Sequence, residues 1–199
     1  MSATASGFVP GSGAGALLLE SLESALARGV KIYGEVSGAS INAGGQRSGG
    51  SMTAPNNEAV QRCIKDAIEN AGIHPNDIDL INGHLTATIK DADEVNNWSV
   101  ALNRKGINFP YIHSLKAMTG HCLGAAGAIE SVAAVLCLDE GFIFPSINCE
   151  DIHPAIAAII DTQKIPQQVL ENNTLQVIAK ASFGFGDVNT CIIFKKYTG

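Results

Sequence analysis

Charge is scarce in this sequence, and positive charge is scarcest. Of 199 residues, 13 are Lys or Arg and 19 are Asp or Glu, giving a formal net charge of −6. No long basic run occurs, which argues against bulk binding to nucleic acid or to an anionic membrane, since both need clustered cations. The opening MSATASGFVPGSG has neither the cationic nor the apolar region of a secretory signal. The five cysteines, Cys63, Cys122, Cys137, Cys149 and Cys191, are odd in number and lack paired spacing. They point to a reducing, cytoplasmic setting rather than a disulfide framework. Neither C-x-x-C nor H-x-x-x-H spacing is present, so no metal site is expected. One run, His121 to Leu138, has about the length of a membrane span. His121, Glu130 and Ser131 interrupt it and Asp139 and Glu140 close it, so a fully buried globular helix is the reading adopted.

What is present is apolar: 46% of the residues are hydrophobic, enough for one sizeable core. No internal repeat and no clean linker divides the chain, so residues 1–199 are read as one domain. The elements alternate. Ala14–Glu20 (AGALLLE) reads as a strand, followed by a short helix in SLESALARG with Ser21 as its cap and Gly29 as its stop. Lys31–Ile41 alternates as a strand, and Gly- and Ser-rich NAGGQRSGGS follows as a loop. Asn57–Gly72 carries apolar residues at helical spacing. DIDLINGH is a short strand, DADEVNNWSVALN a helix, FPYIHS another short strand. The Gly/Ala-rich helix follows, with Gly141 as its stop. LQVIAKASF and NTCIIFKKY flank GFGD and read as an antiparallel hairpin. The mostly β-α-β-α order implies a layered α/β fold.

That order places the ionisable residues. His84 follows one strand and Lys116 and His121 follow the next. In open α/β sheets such loops converge on a cleft at the carboxyl ends of the strands. The glycine turn FGFGD is a third candidate wall, its N–H groups able to face an anion. A histidine after a strand also fits a structural role, and Glu130 also fits a solvated helix rim. Buried, Glu130 demands a cation, and Lys116 is the nearest in reach, within about 4 Å as an ion pair. GSGAG at Gly11–Gly15 lacks a preceding strand and a following helix and is not read as a dinucleotide loop.

Taken together, these motifs resemble the C-terminal half of β-ketoacyl-acyl-carrier-protein synthases, condensing enzymes of fatty-acid and polyketide synthesis. GFVPGSGAGALLLESLESALARGVKIYGEV, NGHLTATIKDADE, SLKAMTGHCLGAAGAIE, FIFPSIN and ASFGFGDVNTCIIFKKY carry the resemblance nearly from end to end. It implies half of a thiolase fold, a mixed sheet with helices layered on it. It implies an acyltransferase activity, the decarboxylative Claisen condensation of malonyl-carrier protein with an acyl thioester. It assigns catalysis to His84, His121 and Lys116, with Glu130 as the structural partner of Lys116. Thr86, Thr88, Phe183 and Phe185 would contact substrate, the threonines through the phosphopantetheine arm and Phe185 as a gate with its N–H in the oxyanion hole. No cofactor is implied beyond the phosphopantetheine of the acyl carrier protein, which is the expected partner.

The sequence departs from the family pattern at Leu85, Ala181, Asp187 and Val188, and the loop from His84 to Asp91 is one residue shorter. Asp187 places a charge and a side chain in a glycine-specified turn. The family's nucleophilic cysteine belongs to its N-terminal half, and no cysteine here has that setting; Cys122 replaces an apolar residue after His121. The expectation is therefore half of an enzyme: an excised piece, a proteolytic product or a separately encoded subunit, inactive alone. The alternative is a non-catalytic subunit like the chain-length factors of ketosynthase heterodimers. Either way an apolar helix layer would need covering, by the N-terminal half or by a second copy packing through Gly124, Gly127 and Ala128.

Overall fold

The computed structural model describes all residues, Met1–Gly199. In chain order the elements are α1 (Leu22–Arg28), β1 (Glu35–Ala43), α2 (Asn57–Asn70), β2 (Leu80–Asn82), α3 (Asp91–Leu102), β3 (Tyr111–His113), α4 (Lys116–Thr119), α5 (Ala126–Glu140), α6 (Pro154–Ala157), β4 (Val177–Gly184) and β5 (Val188–Lys195). The strands form one five-stranded sheet in the order β1-β5-β4-β2-β3. β2 runs parallel to both β3 and β4, whereas β5 is antiparallel to β4 and β1. The sheet is thus mixed.

Alternation along the strands feeds two faces. Val177, Ala179, Ala181 and Phe183 of β4 join Cys191 and Ile193 of β5 in a core of 25 buried residues. Helices α2 and α3 close it. In α2, Asn56 caps the first turn by accepting the Ala59 amide, and Val60, Cys63, Ile64, Ala67 and Ile68 fall on one stripe. In α3, Val95, Trp98 and Leu102 do the same, Trp98 wholly buried. Burying each Ile side chain contributes roughly 1.5–3 kcal/mol, and that stripe is what holds α2 on the sheet. On the opposite face Ile178 and Phe194 meet Ala134, Cys137 and Leu138 of α5 in a smaller cluster of 8 residues.

Two expectations are corrected. Ala14–Glu20 is not a strand: the run has no regular structure and crosses α5, with Gly15 against the backbone of Ala128 and Ile129. A strand is defined by a neighbour to pair with, and this run lies on a helix instead. Leu18 and Leu19 consequently stand 87% and 70% exposed. Nor is α5 buried all round. Its sheet side is, but Leu136 is exposed and Ile129, Val132 and Val135 are only half-buried. The run through Gly13 and Gly15 already covers Ala128, one of the three residues (Gly124, Gly127 and Ala128) through which a second copy was expected to pack.

Candidate active site

The parallel strands β2, β3 and β4 end on one edge of the sheet, and the ionisable residues follow directly from it. His84 is two residues beyond β2, Lys116 opens α4 after β3, and Phe183 lies near the end of β4. This is where ligands sit in sheets of this kind. The rings of His84 and His121 stand 5.5 Å apart at 82°, and Phe183 lies 6.3 Å from His84. A cavity of about 500 Å³ opens over them, bordered by Thr86, Thr88, Phe183 and Phe185 as well as both histidines. No cysteine lines it. Burial pushes the Cys137 thiol up to about 12 and Cys149 to about 11, away from thiolate character.

The His84 loop is held by two acids from α3. Glu94, buried, accepts the amides of His84 (2.7 Å) and Leu85 (2.8 Å). Asp91 accepts the Thr86 amide (3.0 Å) and pairs with the Met1 ammonium. These anchors hold a backbone that few residues adopt, with Leu85 at φ 22° and Ala87 at φ 58°. Leu85 occupies that position because its side chain is 2% exposed in the α2/α3 core. The Thr86 and Thr88 hydroxyls lie 3.2 Å apart on the cavity side of the loop.

His121 is held by the N-terminal run. Its N–H donates to the Val9 carbonyl (2.7 Å), its carbonyl accepts from Gly11 (3.1 Å), and the Phe8 ring packs edge-on at 4.9 Å. Gly11 has to be glycine, since a Cβ there would lie 2.4 Å from the Thr119 carbonyl oxygen. The Leu123 amide donates to His121 Nδ1 (3.1 Å), which places the proton of a neutral ring on Nε2. Both rings favour that neutral form. Burial, then the charges of Lys116, Lys180 and the neighbouring imidazole, push His84 down to about 2. Burial and Lys116 likewise lower His121.

Beneath the histidines, Lys116 and Glu130 form a buried ion pair. The second carboxylate oxygen of Glu130 lies 2.8 Å from Lys180 Nζ on β4. Lys180 also donates to the Ala181 carbonyl (2.7 Å) and to the Ser182 hydroxyl. Sequence reasoning missed Lys180, which falls on the phase of the β4 alternation that a solvent-facing residue would take, opposite Ala179, Ala181 and Phe183. It also missed the anchoring work of Asp91 and Glu94, because acids in the first turn of a helix read as complements to its dipole.

Asp187 proves to be an anchor. It is fully buried at φ 62°, and its carboxylate accepts the amides of Gln46 (3.0 Å) and Asn56 (2.8 Å). Gly44 leaves room for it: a Cβ there would lie 2.0 Å from Asp187 Oδ2. The turn carrying Phe185 is thereby tied to the loop that supplies Thr53 and Pro55 to the cavity wall.

Residues 33–150 match the family described as "Beta-ketoacyl synthase, C-terminal domain". The chain is 41% identical over 193 residues to 3-oxoacyl-[acyl-carrier-protein] synthase 1 of Haemophilus influenzae, covering 97% of this chain and 44% of that protein. In three dimensions it is similar to the ishigamide ketosynthase/chain length factor (TM-score 0.89, 32% identity, 99% of this chain and 46% of that one). It is also similar to a type II polyketide ketosynthase solved with its acyl-carrier protein, AntDE:AntF (TM-score 0.80, 31% identity, 90% of this chain and 42% of that one). The chain belongs to the β-ketoacyl synthase family and corresponds to its C-terminal half. Its mixed, helix-layered sheet is that half of the thiolase fold. It spans less than half the length of these relatives.

Proposed function

We propose that this chain supplies the decarboxylation half of a 3-oxoacyl-acyl-carrier-protein synthase site. The observation that carries the reading is the pair of neutral imidazoles, 5.5 Å apart, facing one cavity above buried lysines. His84 and His121 each donate to the carbonyl oxygen of a malonyl thioester. The bond to the carboxylate carbon breaks, CO₂ leaves, and its electron pair stays on the α-carbon as an enolate whose oxygen the two N–H groups stabilise. A neutral imidazole suits this role because it donates without first giving up its proton. Lys116, paired with Glu130, sits behind the rings and sets their orientation. Thr86 and Thr88 bind the phosphopantetheine arm, and Phe183 and Phe185 border the acyl path. The enolate then attacks an acyl group held on a cysteine outside these residues, so the chain alone does not condense.

The partners proposed are an acyl carrier protein, as in the similar AntDE:AntF complex, and an N-terminal half or second copy over the outer face of α5. A second reading, a chain-length-factor-like subunit without catalysis, is favoured by the likeness to the ishigamide heterodimer and by the acid in the Phe185 turn. Release of ¹⁴CO₂ from malonyl-carrier protein by the chain assembled with a family N-terminal half separates the two. His84→Ala and His121→Ala are each expected to abolish release while leaving cysteine acylation intact. Undiminished release by both variants would refute the catalytic reading.

A further inference from the structure

Glu130 holds two lysines, not one. Lys116 reaches one carboxylate oxygen from α4, and Lys180 reaches the other, 2.8 Å away, from the centre of the sheet. All three side chains are at most 5% exposed. Burial lowers Lys180 and Glu130 pulls it back up; with both lysines as ammonium groups, one carboxylate leaves a net charge of +1 with no further acid in hydrogen-bond contact. Glu94, the one other acid whose charge acts on Lys180, lies on α3 and is committed to the amides of the His84 loop, as is Asp91.

We propose that Lys180 is a positioning residue for this site: its charge, left unbalanced by Glu130, adds to burial and to Lys116 in keeping His84 and His121 neutral donors and makes the cavity above them favourable to an anion. Lys116 with Glu130 alone would be neutral as a pair. It is the second lysine that gives the layer its sign. Interactions here are not screened as they are at a surface, because bulk water does not reach the layer. The groups facing His121 are Lys116 from α4, Glu130 from α5, Lys180 from β4 and His84 from the β2 loop; those facing His84 are Lys116, Lys180 and His121, with Glu94 on its amide. Every cation among them acts in the same direction, and Glu130, which alone opposes them at His121, is shared by both lysines. Lys180 does not border this cavity, so it acts through this field and through Ser182, whose hydroxyl it donates to and which does border the cavity.

The charge assignment stands apart from the condensing reaction, and only its use in stabilising an enolate rests on that reading. The test therefore reads protonation in the isolated chain. Imidazole NMR titration of His121 is compared in the native chain, Lys180→Met and Lys180→Arg. Lys180→Met keeps the Lys116–Glu130 pair but removes the surplus charge, and the His121 midpoint is expected to rise by about half a pH unit or more. Lys180→Arg is expected to keep the native midpoint. An unchanged midpoint in a folded Lys180→Met chain overturns the proposal. Should Lys180→Met fail to fold, the native chain still decides: ¹⁵N spectra of the lysine side chains at pH 7 are expected to show Lys180 as an ammonium, and a neutral amine overturns the proposal. If the midpoint moves as expected but the assembled protein releases no CO₂, the charge assignment stands and the condensing reading falls.

Discussion

The two faces of the sheet are built from different materials. Under α2 and α3 the filling is apolar, 25 residues with Trp98, Ile64 and Phe109 at its centre. Under the start of α5 the same sheet carries Lys180, Asn82 and His113 on adjacent strands, with Glu130 and Lys116 above them. Only eight apolar residues back that layer, and the outer side of α5 remains partly open. The first face stabilises the chain by burial, tolerant in detail because one methylene more or less costs little relative to the whole. The second stabilises only if every charge keeps its partner, because an unpaired charge in a dry layer costs far more than a void. The candidate cavity lies over the second material, and the first is what lets the chain bear its cost.

The sharpest way to break this contrast is to remove the shared acid. Glu130→Ala leaves two buried ammonium groups facing each other, and the expected loss is at least about 3–5 kcal/mol, read as a lowered urea midpoint. Ile64→Val on the apolar face, a deletion of one methylene, should cost only about 0.5–1.5 kcal/mol. Equal losses from the two substitutions would mean that the charged layer is wetter and more forgiving than its burial indicates.

Acid should find the same face. Burial pushes His84 down to about 2 and His113, stacked on Phe144, to about 4, against an ordinary 6.5. Their neutral folded forms contribute stability above pH 6.5 that is lost as the unfolded chain takes up protons below it. Glu94 acts with the opposite sign: burial pushes it from 4.5 up to about 7, so its contribution is full below 4.5 and lost as pH rises toward 7. Between pH 6.5 and 4.5 two histidines outweigh one acid, and the chain should lose about 2 kcal/mol on acidification. Both ring nitrogens of His113 lack partners, so His113→Phe should fold and should remove most of that loss. A midpoint that does not change with pH in the native chain would show that the buried histidines are matched by groups in the unfolded state.

The apolar face was the readable one. The stripe through Val60, Ile64 and Ile68 and the alternation of the hairpin follow from periodicity, and the layered α/β order from the succession of elements, while the mixed sheet came with the family resemblance. The residues of the candidate site that a family motif covered, His84, Lys116 and His121, do lie together around one cavity. Elsewhere the signal was present and pointed to something else. Ala14–Glu20 has the composition of a strand, but strands are made by neighbours and this run meets a helix. Lys180 sits inside a strand pattern that its alternation completes, so the pattern hid the charge. Asp187 looked like a negative charge intruding on a glycine turn, because its partners, the amides of Gln46 and Asn56, lie 141 and 131 residues away in the chain. Contacts of that range have no local signature.

Asp187 also gives the mildest and most local test of the contrast, because it is a buried charge held by amides alone rather than by a cation. Asp187→Gly restores the residue type the turn otherwise favours and relieves a left-handed backbone at φ 62°, a gain of about 1 kcal/mol. Against that, it strands the Gln46 and Asn56 amides, at roughly 1–3 kcal/mol for each that water cannot reach. The two effects partly cancel, so the global stability should fall by only about 1 kcal/mol. The local effect should be larger. The Asp187 side chain is a tether between the Phe185 turn and residues 44–56, and its loss leaves only backbone links there, such as Gly44 N–H to the residue 187 carbonyl and Gly186 N–H to Met52. Amide hydrogen exchange is therefore expected to speed up at Gln46 and Asn56 while Val60 and Ile64 on α2 keep their native protection. Faster exchange throughout α2 would mean that the tether supports the apolar core as well, and the separation between the two faces would not hold at this corner of the fold.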